Sequence, residues 1–230
     1  MPSTTAHDRT GNRSMDASPL ATTFDVRLPT WVLSELADVP EHLPTDEDRV
    51  RLVNRLAARN HREDTGGPFA ALVVVTGTGR IVSAGVNLVL DSGLSSTHAE
   101  VVALSLAQIR LDAWDLGASG TPELELVVNW RPCVMCYGAA MWSGVRRLVI
   151  GGDGSELESL TGFDEGPLHE DWVQEFLRRG IQVHSNVLRE DAIEVLKDYA
   201  ERDDTVVYNA RGTHGAPANA PAPRPGRGLS

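Results

Sequence analysis

Short apolar runs alternate with stretches of helical periodicity between residues 45 and 202, and this alternation limits the chain to a layered α/β sheet. Thr45 stands as an N-cap before Asp46, Glu47 and Asp48. Val50, Val53, Leu56 and Ala57 recur at helical spacing behind it, so a helix is predicted as far as Arg62. Gly66-Gly67-Pro68 stops that helix. Residues 69–75 read as a buried strand, 76–80 as a turn and 81–87 as an antiparallel hairpin partner. A helix over 98–109 follows, with Ser96 or Thr97 as its cap, then a strand at 124–130, a helix at 133–143 and a strand at 147–151. Residues 153–167 read as a loop, 168–179 as a helix, 181–185 as a fifth strand and 189–202 as a final helix.

At 230 residues and 41% hydrophobic, the chain has room for one well-buried domain with tails. Residues 1–22 are polar and without periodicity and are expected to be disordered, residues 23–205 form the domain, and residues 206–230 read as a flexible Pro/Gly-rich tail. No apolar run approaches the ~20 residues of a membrane helix, and the first twenty residues lack the apolar core of a leader. The expectation is a cytoplasmic protein with no membrane partner. The net charge is -11 and Lys197 is the only lysine, so the clustered cations that bind a phosphate backbone are missing and no nucleic-acid partner is expected.

The chemistry is concentrated in two short motifs. Both cysteines lie in Pro132-Cys133-Val134-Met135-Cys136, at a helix start where positions i and i+3 share a face and where the helix N-terminus favours thiolates. His98-Ala99-Glu100 opens another helix. Two residues apart on a helix point ~200° apart, so one is placed to bind an ion beyond the helix end while the other carries a proton. His98, Cys133 and Cys136 make three zinc ligands. A structural zinc site usually closes with four, and three leave a position for water, whose pKa zinc lowers towards ~7. A C-x-x-C alone also fits a thiol redox pair, and an H-x-E alone is commonplace. In this order, each opening a helix, with proline before the first cysteine, the two together form the zinc-deaminase signature.

The chain resembles the cytidine deaminase superfamily, and within it the guanine and nucleobase deaminase branch, over roughly residues 45–187. The resemblance is carried by Gly66-Gly67-Pro68-Phe69-Ala70-Ala71, Thr97-His98-Ala99-Glu100-Val101, Pro132-Cys133-Val134-Met135-Cys136-Tyr137-Gly138-Ala139, Met141-Trp142-Ser143-Gly144 and Gly162-Phe163-Asp164. It implies a three-layer α/β/α fold with a mixed five-stranded sheet, a β-hairpin start and helices on both faces. It implies Zn2+ on His98, Cys133 and Cys136, Glu100 as proton carrier, Asn87 hydrogen-bonding the substrate, and Phe69 and Trp142 lining the base pocket. Asp164 is taken as the second catalytic carboxylate, touching the far edge of the base, with Glu165 beside it as a substrate-binding residue that sequence does not separate from it. The family also closes its pocket with an aromatic near the C-terminus, for which Tyr199 and Tyr208 are the candidates. Arg131, Trp130 and Val134 depart from the family pattern in residues that flank the ligands. A homodimer is implied as well.

The implied activity is hydrolytic removal of the exocyclic amine of a free heterocyclic base, guanine-like first, cytosine or an aminotriazine next. The alternatives are a nucleoside or tRNA adenosine deaminase, against which the acidic balance weighs, and a zinc-stabilised interaction domain without activity. Residues 28–36 carry apolar side chains suited to packing on the domain or on a second subunit.

Overall fold

The computed structural model describes residues 20–209. Residues 1–19, most of the segment expected to be disordered, and residues 210–230, most of the expected tail, lie outside the described part. Within it, a five-stranded sheet has the order β2-β1-β3-β4-β5, with β1 at Ala70–Val75, β2 at Ile81–Val86, β3 at Leu124–Trp130, β4 at Arg147–Gly152 and β5 at Gln182–His184. The β1/β2 hairpin and the β1/β3 pair are antiparallel, and β3/β4 and β4/β5 are parallel. The expected mixed sheet with a hairpin start is therefore present.

Alternation along the strands sends side chains to two separate cores. Leu72 and Val74 of β1, Val127 of β3 and Val149 of β4 meet Val50, Val53 and Leu56 of α2 (Asp46–Arg62) and Val195 of α8 (Arg189–Ala200). Ala71, Val73, Leu126, Val128, Leu148 and Ile150 point the other way, against Ala103 and Ala107 of α4 (Ala99–Leu111) and Ala140 of α5 (Val134–Ser143). Helices thus cover both faces, as the two-sided burial of strands β3 and β4 requires. The approach of α4 to β2 is close enough that a Cβ on Gly85 would stand 2.3 Å from the Ala99 carbonyl oxygen.

The helix expected from Thr45 runs as predicted, and the Thr45 side chain accepts the backbone N–H of Asp48. Four short helices modify the expectation. α1 (Thr30–Ala37) packs Val32 into the α2 side of the core, where Trp31 donates to Thr65 and lies under the Arg59 guanidinium. α3 (Val89–Ser92) follows β2, and α6 (Glu156–Thr161) occupies part of the expected 153–167 loop. The helix expected over 168–179 contracts to α7, Trp172–Leu177, held by Trp172 and Phe176. His98, rather than Ser96 or Thr97, is the N-cap residue of α4, and the Thr97 hydroxyl donates to the Leu94 carbonyl instead.

The assignment of 206–230 to a flexible tail fails for its first residues. Tyr199 donates its hydroxyl to the Val206 carbonyl, Asn209 donates to the Asp164 carbonyl, and Arg202 binds the His61 carbonyl and the Asp64 carboxylate. These bonds fold residues 206–209 back onto the domain.

Beneath the sheet a charged network joins α2 to two strands. Glu125 is fully buried and accepts Arg49 Nη1 at 2.6 Å and Arg147 Nη1 at 2.7 Å. Arg147 also binds Asp46, and the hydrogen bond from Arg147 holds the Asp46 carboxyl below its ordinary value near 3.8. Between the lowered value and 3.8 the unfolded chain takes up the proton first, so stability rises with pH through that window. Asp46→Asn should therefore be less stable than the wild type at neutral pH, with the gap closing below about pH 4. Urea midpoints across that range check it, and a gap that persists unchanged in acid counts against it.

Candidate metal centre

Two helix N-termini converge at the end of the sheet where β3 finishes and β1 begins. His98 is the N-cap of α4 and Cys133 the N-cap of α5, and neither side chain caps its own helix, which leaves imidazole and sulfur free to face each other. Cys133 Sγ lies 3.5 Å from His98 Nδ1, and the ligand atoms of His98, Cys133 and Cys136 all fall within 4.8 Å of one another. Both cysteines are buried and free. Hydrogen bonding from Cys136, and then from His98, overcomes burial and lowers the Cys133 pKa to about 4. The Cys136 thiol is pushed far up, first by its hydrogen bond to Cys133 and then by burial. Burial opposes a charged His98, but Cys133 and the Glu100 carboxylate together raise its pKa. These contacts favour a thiolate at Cys133, and two soft sulfurs with one imidazole suit zinc rather than calcium or magnesium. Among the described residues no second cluster of this kind occurs.

Glu100 sits in the first turn of α4, buried and beside Cys133 and Cys136, but outside the ligand cluster. Burial, and then the Cys133 charge, raises its pKa. The loop after α6 brings a second carboxylate to the same place, and it is Glu165. Its burial, followed by the charges of Cys133 and Glu100, drives its pKa well above the usual range, and its backbone carbonyl accepts the Val134 N–H. Asp164 beside it is half-buried. Its Oδ1 accepts the Gly166 N–H two residues on, closing a turn in which Gly166 has φ 76°.

Asn87 ends β2 fully buried. Its Oδ1 accepts the N–H groups of Gly67 and Val89, while its Nδ2 has no partner among the described residues. Asn60 and Asn129 seat the facing loop. Asn60 donates to the carbonyls of Gly67 and Asn87, and Asn129 donates to Pro68 and accepts Ala70 N–H. Gly66 is required here, since a Cβ would stand 2.3 Å from the Asn87 carbonyl oxygen and 2.4 Å from Oδ1.

An aromatic wall completes the site. Phe69 packs 5.5 Å from Phe163, Phe163 lies 5.0 Å from Tyr208, and Tyr208 lies 6.2 Å from the His98 ring. The Tyr208 hydroxyl is buried without a partner among the described residues, and a Cβ on Gly67 would come within 2.7 Å of it. Phe163 is the wall residue that the motif reading did not assign, and Tyr208 is one of the two aromatics it offered to close the pocket. Trp142 is not part of the wall. It is 82% exposed on the single chain, because nine residues along α5 from Cys133 carry it to the opposite side of the helix. Of the departures from the family pattern, Trp130 lies flat on Gly152, and Arg131 pairs with Glu158 at 3.0 Å.

Residues 44–152 match the cytidine and deoxycytidylate deaminase zinc-binding region. Guanine deaminase of Bacillus subtilis (strain 168) is 30% identical over 116 residues, 50% of this chain and 69% of its own. The solved structure of guanine deaminase from Nitrosomonas europaea is 40% identical, covers 79% of this chain and 98% of its own, and superposes with a TM-score of 0.74. The tRNA(Ile)-lysidine synthase of Deinococcus radiodurans is 28% identical over 89% of this chain, which spans only 33% of that longer protein. Proteins named tRNA-specific adenosine deaminase also align, at lower identity. The chain belongs to the cytidine and deoxycytidylate deaminase family, as an enzyme of the deaminase class with that family's zinc-binding region in place.

Proposed function

We propose that this chain removes the exocyclic amine of a free nucleobase, with guanine as the first choice, and releases ammonia. The observation that carries the reading is the meeting of two buried carboxylates, Glu100 and Glu165, with Cys133 of the His98, Cys133 and Cys136 cluster, and with it a buried Asn87 whose Nδ2 has no partner among the described residues. The similarity to guanine deaminases supports the choice of base.

His98, Cys133 and Cys136 would hold zinc, which when bound would supply a water whose pKa is lowered towards neutrality. Glu100, whose burial raises its proton affinity, accepts a proton and delivers it to the ring nitrogen next to the reacting carbon. A C–O bond forms at that carbon, the C–N bond breaks as the amine gains a proton and leaves as ammonia, and the new hydroxyl gives up its proton as it becomes the carbonyl. Glu165, whose burial and negatively charged neighbours raise its proton affinity, is the group we assign to give a proton to the amine and take back the hydroxyl proton, in place of Asp164. Asn87 donates from Nδ2 to an acceptor on the base, and Phe69, Phe163 and Tyr208 enclose the flat ring. A homodimer belongs to the same reading, because Val134, Met135 and Trp142 form an exposed apolar strip along one side of α5.

Ammonia release from a panel of guanine, cytosine, adenine, an aminotriazine and the matching nucleosides tests the proposal. Guanine should be turned over fastest, with nucleosides inert. Turnover confined to nucleosides, or to adenosine in tRNA, rejects it. The second of these outcomes has the tRNA-specific relatives in its favour and the net charge of -11 against it.

A further inference from the structure

We infer that Asn60 is a positioning residue for Asn87, holding its amide in the orientation that leaves Nδ2 facing the substrate. Asn60 lies in the last turn of α2, fully buried. Its Nδ2 donates to the carbonyl of Gly67 at 2.8 Å and to the carbonyl of Asn87 at 2.9 Å, so both donors are committed. Its Oδ1 is buried with no partner among the described residues. An asparagine that leaves its own acceptor unpaired is oriented by the two carbonyls that it serves.

Those carbonyls belong to the two segments that meet at Asn87. Asn60 clamps residue 67 to residue 87 from the α2 side. The Gly67 N–H closes the circuit on Asn87 Oδ1 at 3.3 Å, and the Val89 N–H reaches the same oxygen at 3.2 Å. A carboxamide is planar, so fixing Oδ1 fixes the direction of Nδ2. The seat has no slack, because Gly66 rests against the Asn87 carbonyl with no room for a Cβ. Loss of the Asn60 donors strips the Asn87 carbonyl of its side-chain partner and lets the 66–67 loop and Asn87 move independently.

The inference rests on the reading of Asn87 as substrate-binding, and a double-mutant cycle separates the two. Asn60→Leu removes both donors while keeping the same branched heavy-atom skeleton. On the best substrate of the panel above, kcat/KM should fall about 10- to 100-fold, since a small misplacement of a positioning group has effects of that size. The loss should appear mainly in KM, because Asn87 binds the base throughout the reaction. Zinc content should be unchanged. In an Asn87→Ala background the same substitution should alter kcat/KM by less than about 2-fold, because its route of action is gone. Asn60→Ser, which keeps a hydroxyl donor, should fall between wild type and Asn60→Leu. A full effect in the Asn87→Ala background, or wild-type kinetics in Asn60→Leu, overturns the inference. So does failure of both Asn60 variants to yield a folded, zinc-binding protein, which would make Asn60 a folding residue. Turnover of nucleosides alone rejects the free-base reading while leaving the cycle measurable on that nucleoside. No turnover on any panel member overturns both.

Discussion

Glu100→Gln is expected to keep its zinc and to lower kcat for the best base about 100- to 10,000-fold, the usual size of a general acid–base contribution. Glutamine preserves the shape of a side chain that is buried beside Cys133 and Cys136, so the helix start and the ligand cluster should survive. What disappears is a group able to take a proton and return it. Cys133→Ser gives the contrasting outcome. It removes an anionic sulfur whose pKa is about 4, and zinc and ammonia release should be lost together. Metal content per chain and ammonia release, measured on the same preparations, distinguish the two variants. A Glu100→Gln enzyme that turns over within a few-fold of wild type removes Glu100 from the proposed mechanism.

The second large effect concerns stability. Arg49→Met should destabilise the fold by about 3–5 kcal/mol, the range seen when one partner of a buried pair is removed. Arg49 and Glu125 are both buried, and the substitution leaves Glu125 Oε1 without its 2.6 Å partner between α2 and the sheet. Arg147 still holds Oε2, which keeps the loss from being larger. The double variant Arg49→Met, Glu125→Leu should recover much of the loss, because no isolated charge then remains buried. Denaturant midpoints with unchanged m-values provide the readout. A double variant less stable than the single one contradicts the account.

The parts of this protein that are legible from sequence are those specified by neighbours in the chain. Thr45 caps α2 because its partner, the Asp48 N–H, is three residues away. β3 spans Leu124–Trp130 as expected, because both its faces are covered and its two polar side chains, Glu125 and Asn129, find their partners inside. His98, Cys133 and Cys136 are recognisable as a set because the spacing of ligands is itself chemical information. Other features depend on where the chain returns. Asp164 and Glu165 are adjacent acids, and only the turn closed onto Gly166 decides which of them is directed inward. Tyr208 finds Phe163 and His98, neither near it in sequence, so nothing local distinguishes it from Tyr199. α6 has six residues, too few for a periodic pattern, and is held by the burial of Leu157. Trp142 shows the opposite error, where a motif match suggested a pocket residue and the helical angle places it on the far side of α5.

The wall formed by Tyr208 has a consequence for the order in which the protein becomes functional. Translation delivers both carboxylates and the three ligands first, and the residue that finishes the enclosure is made after all of them. A nascent or clipped chain ending at Asp204 would carry the whole ion-binding cluster and still leave the His98 side of the cavity open to bulk solvent. Its capacity to hold the ion and its capacity to shelter a ring are thus acquired separately, and protease action just beyond α8 would abolish the second while sparing the first.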